Sequence, residues 1–161
     1  MSAPLHAIED DLRWLRAAID LSRQSRDAGH HPFAALVVNG DGRLLAQDMN
    51  ASAGDCTAHA EMNAVRAAWA ARPAHGLGQA TLYSSAEPCA MCAGGIYWSG
   101  IGRVVYALSE ERLLSITGNH PENPTLSLPC RKVFASGQRP LCVLGPLLEN
   151  EAAAVQAGCW S

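Results

Sequence analysis

The chain has 161 residues, which suits one domain and is too short for two ordinary ones. Hydrophobic residues make up 48% and charged residues 17%, which excludes a disordered chain and a coiled coil. The formal net charge is −3 and Lys132 is the single lysine, so the sequence does not predict a general binder of nucleic acids or anionic membranes. We therefore expect a single domain over residues 1–161.

The first half of the chain predicts a helix, a β-hairpin and a second helix. Apolar residues recur at helical spacing from Ile8 to Ile19, and Gly29 ends this pattern. The turn sequence Asn-Gly-Asp-Gly at 39–42 separates two apolar runs and is typical of a hairpin. The predicted elements are a helix over 5–28, strands over 34–39 and 43–49, and a helix capped by Thr57 that ends near Pro73.

The second half alternates strands with helices. The predicted strands cover 81–85, 103–108 and 141–144. The predicted helices cover 88–99, 130–135 and 146–157, and residues 109–114 begin a further helix. Three prolines make 118–129 a predicted loop. Strands joined through helices require parallel pairing, so we expect a three-layer α/β/α sandwich. Its five-stranded mixed sheet should have strands 4 and 5 parallel, with only the first two strands antiparallel.

The N-terminal residues and the cysteines indicate a cellular compartment. Residues 1–11 are acidic and lack the basic start and apolar stretch of a targeting segment, and no apolar run is long enough to span a bilayer. These features predict a cytoplasmic protein. In a reducing compartment the six cysteines stay as thiols, so the pair Cys89 and Cys92 indicates metal or redox chemistry before a disulfide.

Two short clusters carry the predicted metal chemistry: His59-Ala60-Glu61 and, further along, Pro88-Cys89-Ala90-Met91-Cys92. Each lies at the start of a predicted helix, where the partial positive charge favours thiolates at Cys89 and Cys92. Their spacing puts both sulfurs on one face of the first turn, and His59 can supply a third ligand. Three protein ligands leave a fourth position open for water, which is typical of catalytic Zn²⁺. Glu61 can lie beside that water.

Other interpretations of the cysteines remain open. A Cys-x-x-Cys pair alone also occurs in structural zinc sites and in thioredoxin-like redox sites. A structural site needs a fourth ligand, for which Cys56 is the nearest candidate, whereas a thioredoxin-like pair would follow the first strand of its domain. We expect Cys130, Cys142 and Cys159 to be small buried apolar residues, and the remaining histidines to lie on the surface or in loops.

The pattern His-x-Glu…Pro-Cys-x-x-Cys resembles the signature of zinc deaminases of the cytidine-deaminase-like superfamily, and the predicted element order is similar over nearly the whole chain. The resemblance implies a zinc site made of His59, Cys89 and Cys92. It implies that Glu61 carries protons from water to a ring nitrogen and to the leaving amine. It also implies substrate contacts from the Asn50 side chain, the Ala60 N–H and the Glu87 C=O.

Two further segments are most similar to the guanine deaminase branch, namely His-Pro-Phe-Ala-Ala at 31–35 and Ala-Gly-Gly-Ile-Tyr-Trp at 93–98. Phe33 and Trp98 would form an apolar wall for a flat ring. Residues 109–129 depart from the acidic, Gly-Phe-Asp-containing segment of that branch. The two similar segments make guanine the first expectation. The departure at 109–129 leaves cytosine, isocytosine and an aminated triazine open.

The resemblance thus implies a zinc-dependent hydrolytic deaminase that acts on a free nucleobase as a homodimer. A tRNA-specific adenosine deaminase is the alternative, but one lysine and a net charge of −3 make nucleic acid a poor partner. A non-catalytic zinc-binding module is a third possibility, and Glu61 and the open ligand position argue against it. The loop at 109–129 and Trp160 near the C-terminus are candidates for a lid over the site.

Overall fold

A computed structural model describes residues 5–161, with the side chains of residues 8–161. Over this range the chain forms six helices and five strands. In chain order they are α1 (Leu5–Asp27), β1 (Ala34–Val38), β2 (Leu44–Met49), α2 (Ala60–Ala70), β3 (Thr81–Ala86), α3 (Ala90–Ser99), β4 (Arg103–Leu108), α4 (Glu110–Thr117), α5 (Cys130–Ala135), β5 (Cys142–Leu144) and α6 (Glu149–Gln156).

The five strands form one mixed sheet in the order β2-β1-β3-β4-β5. Strands β3, β4 and β5 are parallel, as the sequence predicts for strands 4 and 5. The prediction that only the first two strands are antiparallel is wrong, because β1 pairs antiparallel with both β2 and β3. The chain passes through α2 from β2 to β3, which run in the same direction, and β1 fills the position between them.

Two apolar layers confirm the three-layer sandwich. Alternate residues of β4 point to opposite faces, so Val104 packs in one cluster and Val105 in the other. The first cluster contains buried residues of α2, α3 and α5, and the second contains buried residues of α1, α4 and α6. The sheet is therefore covered on both faces, which is typical of a sheet with parallel strands.

A close approach of α2 and α3 brings the beginnings of these two helices together. Gly95 of α3 lies against Met62 of α2, and a Cβ at Gly95 would be 2.3 Å from the Met62 sulfur. Glycine removes this clash and lets the two helices pack near one another. Both helices pack on the same face of the sheet, so the residues that precede their first turns become neighbours.

Several local expectations are corrected. The Thr57 hydroxyl donates to Asp55 at 2.8 Å, so it does not cap α2, whose N-cap is His59. The last helix begins at Glu149, later than expected. Cys142 is exposed because the short edge strand β5 gives it little cover. No described helix combines the length and the apolar character needed to cross a membrane.

Candidate active site

Three ligand atoms meet where α2 and α3 begin. His59 and Cys89 are the N-cap residues of these helices, and Cys92 lies in the first turn of α3. The His59 Nδ1 is 3.6 Å from the Sγ of Cys89 and 3.6 Å from the Sγ of Cys92. In a tetrahedral site with Zn–N of about 2.0 Å and Zn–S of about 2.3 Å, neighbouring ligands are about 3.5 Å apart. The three residues therefore fit a zinc ion.

The charges of the two cysteines also suit a metal. The pKa of Cys89 is lowered to about 4, because its sulfur accepts a hydrogen bond from the Cys92 thiol and a further one from His59. The same contact with Cys89, together with burial, raises the pKa of Cys92. Because zinc binds thiolates, loading this site displaces the proton of Cys92.

Glu61 lies next to the ligands, in the first turn of α2, and its side chain is buried. Its Oε1 accepts a hydrogen bond of 3.2 Å from the Ser84 hydroxyl, and its Oε2 is 3.7 Å from the Cys92 sulfur. Burial, followed by the nearby Cys89 thiolate, raises the pKa of Glu61 to about 7. A carboxyl group with this pKa can take up and release a proton near neutral pH, which is what a general acid–base group requires.

These residues line a cavity of about 540 Å³. The cavity brings together His59, Cys89 and Glu61 with three of the predicted substrate contacts, Phe33, Asn50 and Glu87. Further lining residues were not singled out from the sequence, among them His31, Glu110, Leu113, Glu122 and Asn123. Among the described residues, no lysine or arginine lines it. The walls therefore offer hydrogen-bond acceptors and apolar surface, without a cluster of cations.

The predicted substrate-contact residues Asn50, Ala60 and Glu87 have different structural surroundings. The Asn50 Oδ1 accepts hydrogen bonds from the backbone N–H of Ser52 at 3.0 Å and from its hydroxyl at 2.8 Å, so the amide group has a fixed orientation. Ala60 is fully buried at the start of α2 and is not among the residues that line the cavity. The Glu87 carboxylate accepts from the backbone N–H groups of Glu110 and Cys130, at 2.8 and 3.0 Å. It therefore joins the beginnings of α4 and α5.

Trp98 is not brought to the cavity of this chain. Its side chain is 82% exposed, and its ring meets the edge of Tyr97 at a centroid distance of 5.4 Å. Ile96 points into the core, and a residue two positions further along a helix points to the opposite side. The predicted pocket wall is corrected accordingly, with Phe33 lining the cavity and Trp98 on the outer surface of α3.

An aromatic cluster lies beside the cavity, formed by residues far apart in the sequence. The Trp160 ring is 5.1 Å from the ring of His31, 5.4 Å from that of His120 and 6.1 Å from that of Phe33. The His31 Nε2 is 3.1 Å from a carboxylate oxygen of Glu122, in the loop after α4. The C-terminus thus folds back to the cavity, and His31, which lies in a loop before β1 as expected, lines this site.

The fold and the zinc-binding geometry define a class of protein. The family model described as the cytidine and deoxycytidylate deaminase zinc-binding region matches residues 8–108. The chain belongs to this family, and it is a hydrolase that acts on C–N bonds.

Particular relatives are similar over different parts of the chain. The "Probable cytosine deaminase" of Schizosaccharomyces pombe is 40% identical over 153 residues, which cover 94% of this chain and 93% of the relative. A tRNA-specific adenosine deaminase of Haemophilus influenzae is 35% identical over 63% of this chain and 60% of its own length. The solved structure of guanine deaminase from Nitrosomonas europaea is similar with a TM-score of 0.74 and 26% identity, over 96% of this chain and 91% of that chain.

Proposed function

We propose that this protein is a zinc-dependent deaminase that hydrolyses the amine of a free nucleobase or a related amino-heterocycle and releases ammonia. The observation that carries the proposal is the pairing of the His59, Cys89 and Cys92 ligand set with the buried acid Glu61 in one cavity. Guanine and cytosine are the principal candidate substrates, because they are named for similar proteins. Isocytosine and an aminated triazine have a similar shape and are further candidate substrates.

The proposed reaction assigns a proton-transfer role to Glu61. Zinc, when bound by His59, Cys89 and Cys92, supplies a Lewis acid that lowers the pKa of a water molecule. Glu61 would take a proton from the attacking water and pass it to a ring nitrogen. It would then take the second proton from the newly added hydroxyl group and give it to the departing amine, so that the C–N bond breaks, a ring carbonyl forms and ammonia leaves. The pKa of Glu61, raised to about 7, suits both transfers.

The remaining predicted contacts would orient the ring. The fixed Asn50 amide would hydrogen-bond the ring, the Ala60 N–H would hold a ring carbonyl, and the Glu87 C=O would accept from the leaving amine. Phe33 lines the cavity and offers an apolar surface for a flat ring. This assignment places polar contacts along the edge of the ring and apolar contact on its face.

The tRNA-specific adenosine deaminase alternative is supported by the similarity to such an enzyme and opposed by charge. Binding of an anticodon stem requires phosphate contacts from basic side chains. The described residues that line the cavity include no lysine or arginine, and the whole chain has a net charge of −3. A free base carries no phosphate and needs no such contacts.

The proposal includes assembly as a homodimer. The end of α3 carries Trp98, which at 82% is the most exposed large apolar residue among those whose side chains the structure describes, next to Tyr97. A large aromatic side chain in this position is typical of a contact surface between proteins. We assign the dimer contact to this part of α3.

Ammonia release from a substrate panel tests the proposed function. The zinc-loaded protein is given cytosine, guanine, isocytosine, melamine, the corresponding nucleosides and nucleotides, and a tRNA anticodon stem-loop. The proposal predicts that one of the free bases or the triazine has the highest kcat/KM. A higher kcat/KM for a nucleotide or for the stem-loop would contradict it, and no ammonia from any substrate would support the non-catalytic zinc-binding module.

A further inference from the structure

Glu110 is an acid of the cavity that the proposed reaction does not use. It is the first residue of α4, it lines the cavity, and the residue is only 7% exposed. Its backbone N–H donates to Glu87 at 2.8 Å, but within the described range its carboxylate takes part in no hydrogen bond or ion pair. A carboxylate that reaches a cavity and meets no donor from the protein is free to accept a hydrogen bond from a ligand.

The other acids of the cavity all have partners. Glu61 accepts from Ser84, Glu87 accepts from two backbone N–H groups, and Glu122 meets His31. Glu110 therefore stands out among the lining carboxylates. Burial raises the pKa of Glu110 to about 8, and the Cys89 thiolate adds to this. A donor delivered by a ligand would stabilise the charged form of Glu110.

The position of Glu110 indicates which part of a ligand it meets. The amine that leaves must face Glu61 and the zinc ligands, which belong to α2 and α3. Glu110 and Leu113 belong to α4, which forms a separate wall of the same cavity. A flat ring whose leaving amine faces α2 and α3 therefore presents another edge to Glu110.

We propose that Glu110 determines substrate specificity by accepting a hydrogen bond from an N–H of the substrate other than the leaving amine. This inference rests on the proposed deaminase function and narrows its substrate class. The preferred substrate is an amino-heterocycle with a second donor, which is either a ring N–H, as in a free base, or a second exocyclic amine. Cytidine lacks the ring N–H of cytosine because its sugar occupies N1, so it would leave Glu110 buried and without a partner.

Matched substrate pairs test the inference on the zinc-loaded protein. Cytosine against 1-methylcytosine removes the N1–H, and guanine against 9-methylguanine removes the N9–H while the N1–H stays. Melamine against 2-amino-1,3,5-triazine removes the additional amines. The kcat/KM of each member is measured for the wild type and for Glu110→Leu, which has a similar volume and no acceptor. Glu111→Leu is the control, because Glu111 is the exposed neighbour in the same helical turn.

The inference predicts that Glu110→Leu lowers kcat/KM for the donor-bearing member roughly 10- to 100-fold and leaves the analogue nearly unchanged. The ratio of kcat/KM for the donor-bearing member to kcat/KM for its analogue then falls towards one, while Glu111→Leu keeps the wild-type ratio. The pair that responds tells whether the donor is a ring N–H or an amine. Zinc content and Tm should not fall, because the substitution removes a buried acid without a partner. If Glu110→Leu does lose zinc, Glu110→Gln replaces it in the same comparison.

Two results would overturn the inference. An unchanged preference in the Glu110 variant, or an equal loss for both members of every pair, would show that Glu110 does not contact the substrate donor. If the wild type deaminates none of these compounds, the proposed function fails and the role of Glu110 fails with it. If the wild type is active and only the preference test fails, the deaminase proposal stands without Glu110.

Discussion

The Ser84 hydroxyl donates a hydrogen bond of 3.2 Å to the Glu61 carboxylate, which ties the acid of α2 to the central strand β3. Both side chains are buried, so water does not compete for this contact. The hydrogen bond stabilises the charged form of Glu61 and opposes the effect of burial on its pKa. Ser84 is therefore a positioning residue for the proposed proton carrier.

Replacing Ser84 tests this relationship. In Ser84→Ala the pKa of Glu61 should rise further, because the charged form loses a hydrogen-bond donor. The acidic limb of the kcat/KM profile should then move to higher pH, and turnover should fall roughly 3- to 10-fold. Ser85→Ala is the control, because the Ser85 hydroxyl accepts from the Ala34 N–H and has no hydrogen bond to Glu61. An unchanged pH profile in Ser84→Ala would contradict this role.

Zinc content tests the ligand set. We expect about one zinc per chain in the wild type, since three suitably spaced ligands define one site. Cys89→Ala should lose the metal and the activity together, because two protein ligands hold zinc far less tightly. Cys142→Ala should lose neither, because Cys142 lies exposed on β5 and outside the cluster. A second stoichiometric zinc that depends on Cys56 would show that this ligand assignment is incomplete.

Local sequence patterns predicted much of the fold. The bounds of β4 (Arg103–Leu108) and α5 (Cys130–Ala135) agree with the structure, because turn residues and prolines flank both segments. The place of β1 between β2 and β3 was missed, since strand order depends on how distant segments pack. The same limit applies to the lining residue Glu110, whose position in the first turn of a helix indicates only a favourable dipole partner.

In the site, too, local spacing predicted the ligand set, whereas contacts between distant segments could not be predicted. His59, Cys89 and Cys92 were grouped correctly from their spacing, because each set of ligands sits within one helical turn. The contact of Trp160 with His31 could not be read from the sequence, since 129 residues separate them and no periodic pattern connects the two. Only the return of the C-terminus to the sheet brings them together.

The C-terminal residues are predicted to act as a lid on a free base. Trp160 packs on Phe33 and His31, which line the cavity. Deletion of residues 158–161 should lower kcat/KM for the preferred base roughly 10- to 100-fold, because the base is no longer held and shielded from water. Zinc content and Tm should change little. Trp69→Ala serves as a control for loss of a tryptophan that does not contact the cavity residues, and normal turnover in the truncated protein would rule out a lid.

Substitution of Trp98 by a charged residue tests the assignment of the dimer contact. Light scattering at micromolar concentration should give twice the chain mass of 17.0 kDa for the wild type. Trp98→Arg should give a monomer, because it places a charge in the proposed apolar contact. Leu114→Arg should remain a dimer, since Leu114 is an exposed residue of α4, which packs on the opposite face of the sheet. A monomeric wild type would remove the assignment.

The most direct test of the central claim compares ammonia release by the wild type and by Glu61→Gln at equal zinc content, with the free base that the wild type prefers. Glu61 is assigned proton transfer and no metal coordination, so the variant should keep its zinc. We predict that its kcat falls roughly 100- to 10,000-fold, the range expected for loss of a general acid–base group. Near-normal ammonia release by Glu61→Gln would contradict the account.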